Sequence, residues 1–296
     1  MNISIVGGDL RVVRLAQMYA KEGKKVYIYG LEEYFKKNEN DNIIIYEDLK
    51  ETLEKSNIII SGMPFSKDGV NINTPFFKKI IKIEELRNRL EEKIFIAGGI
   101  PKKFYEQKNK NFDLLENEKL TILNAILTVE GTIKIAIEER EESIFESNVM
   151  ICGFGRIGKI LCDRFSSFGA KIYCVARKES DLTWIRKNRY IPITYDEIKK
   201  YASKIDILIN TVPNMVIDKE KLKSFDKKVL MIDVASNPGG IDKEYANQIG
   251  IKVITALGIP GKEMPLTSAK YIKEIIDGYN LRIIINSKQY IFKNKY

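Results

Sequence analysis

The chain of 296 residues contains no histidine. That absence removes the proton acceptor on which dehydrogenases of 2-hydroxy acids depend. It also removes the Ser-His-Asp hydrolases and most zinc chemistry, which uses imidazole as a ligand. Acid–base work then falls to Lys, Asp, Glu, Tyr or Cys. Cysteine is scarce, at three residues, Cys152, Cys162 and Cys174. The odd count argues against a disulfide framework and the spacing fits no zinc module. With no imidazole to activate them, these thiols read as small core residues in a reducing cytoplasm. Long apolar stretches are missing too: no run reads as reaching the roughly 20 residues that cross a bilayer. The start MNISIVGG reads as a buried strand entering a glycine turn, not as a signal peptide. A cytoplasmic protein with no membrane role is expected.

What is present is ordinary for a globular protein, with 44% hydrophobic and 30% charged residues. The length suffices for two domains, each with its own core. A net charge of +9 invites nucleic acid as a partner. However, the lysines are scattered among nearly as many acids, and no basic–aromatic alternation marks a binding face. No nucleic-acid partner is expected. The basic surface reads as solvated, and it suits acidic small molecules.

Short apolar strands alternate with helices twice along the chain. In the first half strands are expected at 3–6, 25–29, 42–46, 57–61, 93–97 and 121–125, with helices at 10–21 and 74–90. In the second half strands fall at 149–152, 171–175, 206–210, 229–233 and 252–255, and helices at 157–167, 181–187, 196–202 and 243–248. Such runs imply parallel sheets covered on both faces. The fold class is α/β, with two Rossmann-like doubly wound parallel-sheet domains joined by two connecting helices. The first domain spans 1–127 and is completed by 266–296. A connecting helix occupies 128–147, with Thr128 as its N-cap, and a nucleotide-binding domain spans 148–265. A second helix at 267–277 returns the chain to the first domain, so the pair forms a hinge over a cleft.

The densest signal is Gly153-Phe154-Gly155-Arg156-Ile157-Gly158. It follows a strand and opens a helix, the context that makes a GxGxxG motif specific for a dinucleotide. Gly153 permits the turn, Gly155 lets the backbone approach the pyrophosphate, and Gly158 lets helix and strand pack closely. The next strand ends in Ala176-Arg177-Lys178, where an acid would bind the free ribose of NAD. Arg177, Lys178 and Ser180 favour the 2′-phosphate of NADP instead, with NAD as the alternative. Thr211, Val212 and Pro213 fall where backbone adjoins the nicotinamide ribose. The turn Gly7-Gly8-Asp9 lacks a third glycine and reads as a relic reused for substrate.

Loops at 236–240, 256–262 and 264–269 follow strand ends, where ligands of open α/β sheets bind. Thr267 and Ser268 start a helix and offer a carboxylate site or an ordinary cap. Arg11 and Glu130 are further candidates. Asp233, at a strand end, is a base or a residue that ties down its loop.

The segments TVEGTIKIAI, ICGFGRIGK, INTVP, IDVASNPGG and ALGIPGK together resemble the dipicolinate synthase A subunits, dehydrogenase-like proteins of endospore-forming bacteria. The likeness covers nearly the whole chain. In that family proline precedes the first segment; Leu127 stands here, which implies a differently aimed helix entrance. The resemblance implies oxidation of a dihydrodipicolinate-type ring to pyridine-2,6-dicarboxylate, with NAD(P) as hydride acceptor and no metal. It implies a flavoprotein-like B subunit as partner, in the mother cell of a sporulating bacterium. The aromatic product would supply the driving force, so histidine is dispensable. Asp9, Arg11, Thr128, Ser236, Asn237, Gly239, Thr267 and Ser268 would hold the substrate, and Glu130 and Asp233 are the catalytic candidates. A homo-oligomer is possible. The rival readings are a shikimate-dehydrogenase-like reductase using Lys67 and Asp68, and a non-catalytic NADP-binding scaffold subunit.

Overall fold

The structure is a computed structural model that describes residues 2–35 and 40–293, from residue 280 onward by helical backbone alone. The chain forms two compact units, residues 1–123 with 264–296, and residues 124–263.

The first unit contains β1 (Ile3–Val6), α1 (Leu10–Lys21), β2 (Val26–Tyr29), β3 (Ile43–Ile45), α2 (Leu49–Glu54), β4 (Ile58–Ser61), α3 (Ile83–Arg87), β5 (Ile94–Ala97) and β6 (Lys110–Asp113). The helix α4 (Glu118–Glu138) starts in this unit and runs on into the second. There follow β7 (Asn148–Cys152), α5 (Arg156–Ser167), β8 (Lys171–Val175), α6 (Glu179–Lys187), β9 (Ile191–Ile193), α7 (Ile198–Ala202), β10 (Ile207–Asn210), α8 (Lys219–Leu222), β11 (Leu230–Asp233), α9 (Lys243–Gln248), β12 (Lys252–Thr255) and α10 (Ile259–Glu263). Finally α11 (Pro265–Lys293) belongs to the first unit again.

Each unit holds one six-stranded sheet, in the orders β3-β2-β1-β4-β5-β6 and β9-β8-β7-β10-β11-β12. The pairings are parallel, and the two orders are the same winding repeated. Both reverse direction beside their first strand, at β1/β4 and at β7/β10, the switch point where such folds bind ligands. The isoleucine-rich central strands are buried on both faces because helices cover both. In the first unit one face packs Leu15, Ala16 and Tyr19 of α1 with Ala269, Ile272 and Ile276 of α11. In the second, one core lies under α5 and the other under α7 to α9.

Four expectations need correction. Residues 121–125 are not a strand but part of α4; an apolar run cannot be assigned by periodicity alone, and here the long register of a helix wins. The sixth strand is β6, whose KNFD sequence carries one large apolar residue. Thr128 is consequently no N-cap: it lies inside α4, and its hydroxyl donates to the Asn124 carbonyl at 2.8 Å. Helix 74–90 shrinks to α3, because the chain before it doubles back, with Ile72 N donating to Ile81 O (2.9 Å) and Asn71 bridging Lys82. Also, α4 is by length and composition apolar enough to cross a membrane, contrary to the expectation that no run is. Its residues Leu120, Ala125, Leu127, Val129, Thr132 and Ala136 are buried within the protein.

Candidate active site

β7 delivers the chain to the glycine turn, where the three glycines do three different jobs. Gly153 has φ +100°, and a Cβ there would lie 2.5 Å from Thr211 Oγ1. Gly158 sits in the first turn of α5, where a Cβ would lie 2.0 Å from the Gly153 carbonyl oxygen. Both are needed by the protein itself. Gly155 is not: a Cβ there would meet nothing within 4 Å. It is the N-cap of α5 and supplies no side chain to the amides of the first turn. Open space at the positive end of a 12-residue helix dipole fits a pyrophosphate. Arg156 is exposed at the helix start, Ile157 is half-buried against the core, and Phe154 is buried with Lys159 Nζ 5.4 Å above its ring.

Arg177, Lys178 and Ser180 are all exposed just beyond β8, Lys178 as N-cap of α6 and Ser180 in its first turn. Among the described residues Arg177 enters no ion pair, so its guanidinium is available to a ligand. On the other side of the switch point, Thr211 donates to the Cys152 carbonyl through its amide (3.0 Å) and hydroxyl (2.8 Å). Val212 is half-buried and Pro213 exposed.

Asn210, which the sequence reading does not single out, organises this edge. Wholly buried at the end of β10, it donates to Val212 O (3.0 Å) and Asp233 Oδ1 (2.9 Å) and accepts from Val212 N (3.1 Å). Asp233 is equally buried. Its carboxylate also accepts from Ala235 N (3.2 Å) and Gly240 N (3.1 Å), with Lys243 Nζ at 3.6 Å. Both oxygens therefore hold the 234–240 loop, and the base role expected for Asp233 gives way to this anchoring. Gly239, with φ +85° and a would-be Cβ 2.5 Å from Asp233 Oδ2, is required by the turn. Ser236 and Asn237 are exposed at the loop tip. The recurrence of a polar residue at adjacent strand ends, in INTVP and IDVAS, is the signal that could have found the brace.

On α4, Glu130 is exposed and precedes Gly131, where a Cβ would lie 2.2 Å from Ile259 Cγ2. The glycine lets α4 meet α10.

The first unit repeats the glycine turn but fills it. Gly7 and Gly8 have φ +60° and +106°. The Gly8 amide donates to Asn73 O (2.8 Å), and a Cβ on Gly7 would lie 2.7 Å from the Thr74 methyl. Residues 72–74 thus lie across the turn. Asp9 caps α1 by accepting from Arg11 N (3.1 Å), and its carboxylate binds Arg11 Nε (3.0 Å) and Nη2 (2.6 Å). Arg11 Nη2 also donates to the Met63 carbonyl. With Arg11 only 6% exposed, its charge is neutralised inside the protein, so Asp9 and Arg11 are a structural pair and not the expected substrate clamp. Ser268 is also buried, and its amide closes the first turn of α11 on Met264 O (3.0 Å); Thr267 is half-buried. Asp68 accepts from the amides of Val70 (2.9 Å) and Asn71 (2.7 Å), which hold it well below the usual carboxylate range. It closes its own turn, which removes the Lys67–Asp68 pair from the reductase reading. The three cysteines are free and buried, and burial pushes the Cys152 thiol up to about 12.

Residues 2–116 match the family of dipicolinate synthase A-subunit N-terminal domains, and residues 128–242 match the D-isomer specific 2-hydroxyacid dehydrogenase NAD binding domain. The dipicolinate synthase A subunit of Bacillus subtilis (strain 168) is 30% identical over 287 residues, covering 93% of this chain and 94% of that protein. The crystal structure of the A subunit of dipicolinate synthase from Bacillus subtilis superposes with a TM-score of 0.83, at 27% identity and 97% coverage of each chain. That of the A subunit from Bacillus halodurans gives 0.80, at 24% identity, covering 94% of this chain and 97% of the other. The second unit is thus a nicotinamide-dinucleotide domain of dehydrogenase type, and the chain is an NAD(P)-dependent oxidoreductase.

Proposed function

The chain belongs to the dipicolinate synthase A-subunit family, and from that premise we propose that it oxidises a dihydrodipicolinate-type ring to pyridine-2,6-dicarboxylate with NADP as acceptor. The observation that carries the reading is the open space at Gly155 above the uncapped start of α5, with the free Arg177 beyond the next strand. When bound there, the coenzyme supplies a hydride acceptor. The amides of α5 hold its pyrophosphate, and Arg177 with Lys178 and Ser180 holds its 2′-phosphate.

One ring hydrogen of the substrate leaves as hydride and a second leaves as a proton. Aromatisation makes the loss of both favourable, so a strongly tuned base is unnecessary. This agrees with a site lacking histidine, and with Asp233 being engaged in its loop. Asn210 and Asp233 fix the two loops beside the nicotinamide end, while Ser236 and Asn237 are the exposed polar groups of that edge assigned to a ring carboxylate. Glu130 is the proton acceptor assigned on α4, and Thr267 is the remaining substrate candidate of the first unit. The partner is a B subunit, in keeping with the subunit name of the relative, and the setting is the cytoplasm of a sporulating mother cell.

The test is turnover by the purified chain, with and without B subunit, given dihydrodipicolinate and NADP. Absorbance of the pyridine product and of reduced coenzyme rising together in the chain alone supports the proposal. No heat on mixing the chain with either nicotinamide coenzyme overturns it. Because Arg11 and Asp233 are engaged structurally, a second reading is kept: a coenzyme-binding scaffold, which predicts product only when the partner is added.

A further inference from the structure

The coenzyme-facing edge carries a group that lies outside the glycine motif. β9 runs parallel to β8 with Ile193 opposite Val175, and Ala176 N donates to Ile193 O at 3.0 Å. Tyr195 opens the 3-10 turn that follows β9, as Arg177 follows β8 at the neighbouring strand end. Side chains alternate across a strand. Val175 and Ile193 face the core under α7, and Ala176 faces the opposite core. The Tyr195 ring joins the core under α7, in the cluster that includes Cys152, Val175 and Val212. Cys152 leads into the glycine turn and Val212 belongs to the loop across the switch point. The ring is therefore rooted beneath the coenzyme edge, on the side of Arg177.

Its position is fixed. The 3-10 turn Tyr195–Glu197 is closed by a capping box in which Glu197 Oε2 accepts from Thr194 N (3.0 Å) and Thr194 Oγ1 (2.9 Å). Among the described residues the Tyr195 hydroxyl has no hydrogen-bond partner. Burial, above all, and then the Cys152 thiol raise its pKa to about 12 while the Arg177 charge opposes them, so at neutral pH it remains a donor.

We propose that Tyr195 is a second determinant of coenzyme choice: its hydroxyl and the Arg177 guanidinium together bind the phosphate on the adenosine ribose of NADP. A phosphate dianion accepts several charge-assisted bonds and rewards both donors, whereas the bare ribose of NAD does not. The inference rests on the NADP reading above.

The test is Tyr195→Phe, which keeps the ring in its core. Dissociation constants are measured for NADP, NAD, 2′,5′-ADP and 5′-ADP by titration calorimetry, alongside the melting temperature. The expected result is about tenfold weaker binding of NADP and 2′,5′-ADP, the loss of one hydrogen bond to a charged group, with NAD, 5′-ADP and melting unchanged. If the wild-type protein prefers the 2′-phosphorylated ligands and Tyr195→Phe keeps that preference, the role of Tyr195 is overturned and the NADP reading stands. If the wild-type protein binds the phosphorylated and unphosphorylated ligands equally, the NADP reading itself falls and takes this inference with it.

Discussion

Asn210 and Asp233 face each other as the last residues of adjacent parallel strands, joined by a 2.9 Å hydrogen bond with neither exposed to solvent. Each also holds the loop that follows its own strand. Asn210→Ala strips support from both loops and leaves one carboxylate oxygen under-satisfied. We expect unfolding free energy to fall by about 1–3 kcal/mol and coenzyme affinity to fall with it. Guanidinium melts and calorimetry measure the two. Asp233→Asn should likewise cost stability; an Asp233→Asn protein that melts like the wild type yet has lost turnover would restore Asp233 as a base.

The glycines of the turn should separate by role. In Gly155→Val the new Cβ has open space within 4 Å, and the cost is that of a poorer N-cap, about 1 kcal/mol or less. Coenzyme binding should nonetheless be lost. Gly158→Ala drives a methyl into the Gly153 carbonyl and should lower both melting temperature and binding. If Gly155→Val bound coenzyme normally, the pyrophosphate would have to lie elsewhere.

Arg177→Asp replaces an exposed, unpaired cation with an acid at the position proposed for the adenosine ribose. The acid repels a 2′-phosphate and accepts from a free ribose hydroxyl. Preference should turn from NADP to NAD with little change in melting. Equal affinities before and after the change would defeat this assignment.

Tyr19 of α1 donates to Asp277 of α11 at 3.1 Å, and Lys273 bonds both Asp277 (2.6 Å) and Glu22 (2.7 Å). Burial first, then the Asp277 charge, raise the Tyr19 pKa far above its ordinary 10.0. The folded protein therefore keeps a proton that the unfolded chain releases above pH 10. Stability from this group is intact below pH 10, and it falls as pH rises, by about 1.4 kcal/mol per unit. Tyr19→Phe should cost about 1 kcal/mol at neutral pH and flatten the alkaline decline by that one proton. Denaturant melts from pH 8 to about 11.5 would read the slope, and identical slopes would exclude the mechanism.

The alternation of strands and helices is legible in the sequence because parallel strands buried on both faces leave apolar runs such as ILIN and LMID, bounded by polar turns. The glycine turn is legible because its demands are local: a positive φ at one position, a close approach at another. What hides is what depends on distant partners. The work of Asp233 is set by Asn210, 23 positions away on another strand. The edge strands β6 and β9 hide because they are short, and one is polar while the other contains Pro192. The helical state of 121–125 hides because apolar residues occupy its exposed side as well, Ile122 among them, which erases the periodicity. The pairing of Arg11 is different: an N-cap aspartate two residues before an arginine is a local pattern, and it could have been read.

The twin windings of the two sheets end in opposite fates at their glycine turns. In the first unit the peptide around Asn73 sits where a diphosphate would lie, and its carbonyl takes the Gly8 amide that a phosphate oxygen would need. The chain thus satisfies the amide of that turn itself. Coenzyme titrations should accordingly saturate at a single equivalent per chain, and the duplicated architecture is freed at one end to evolve toward another task.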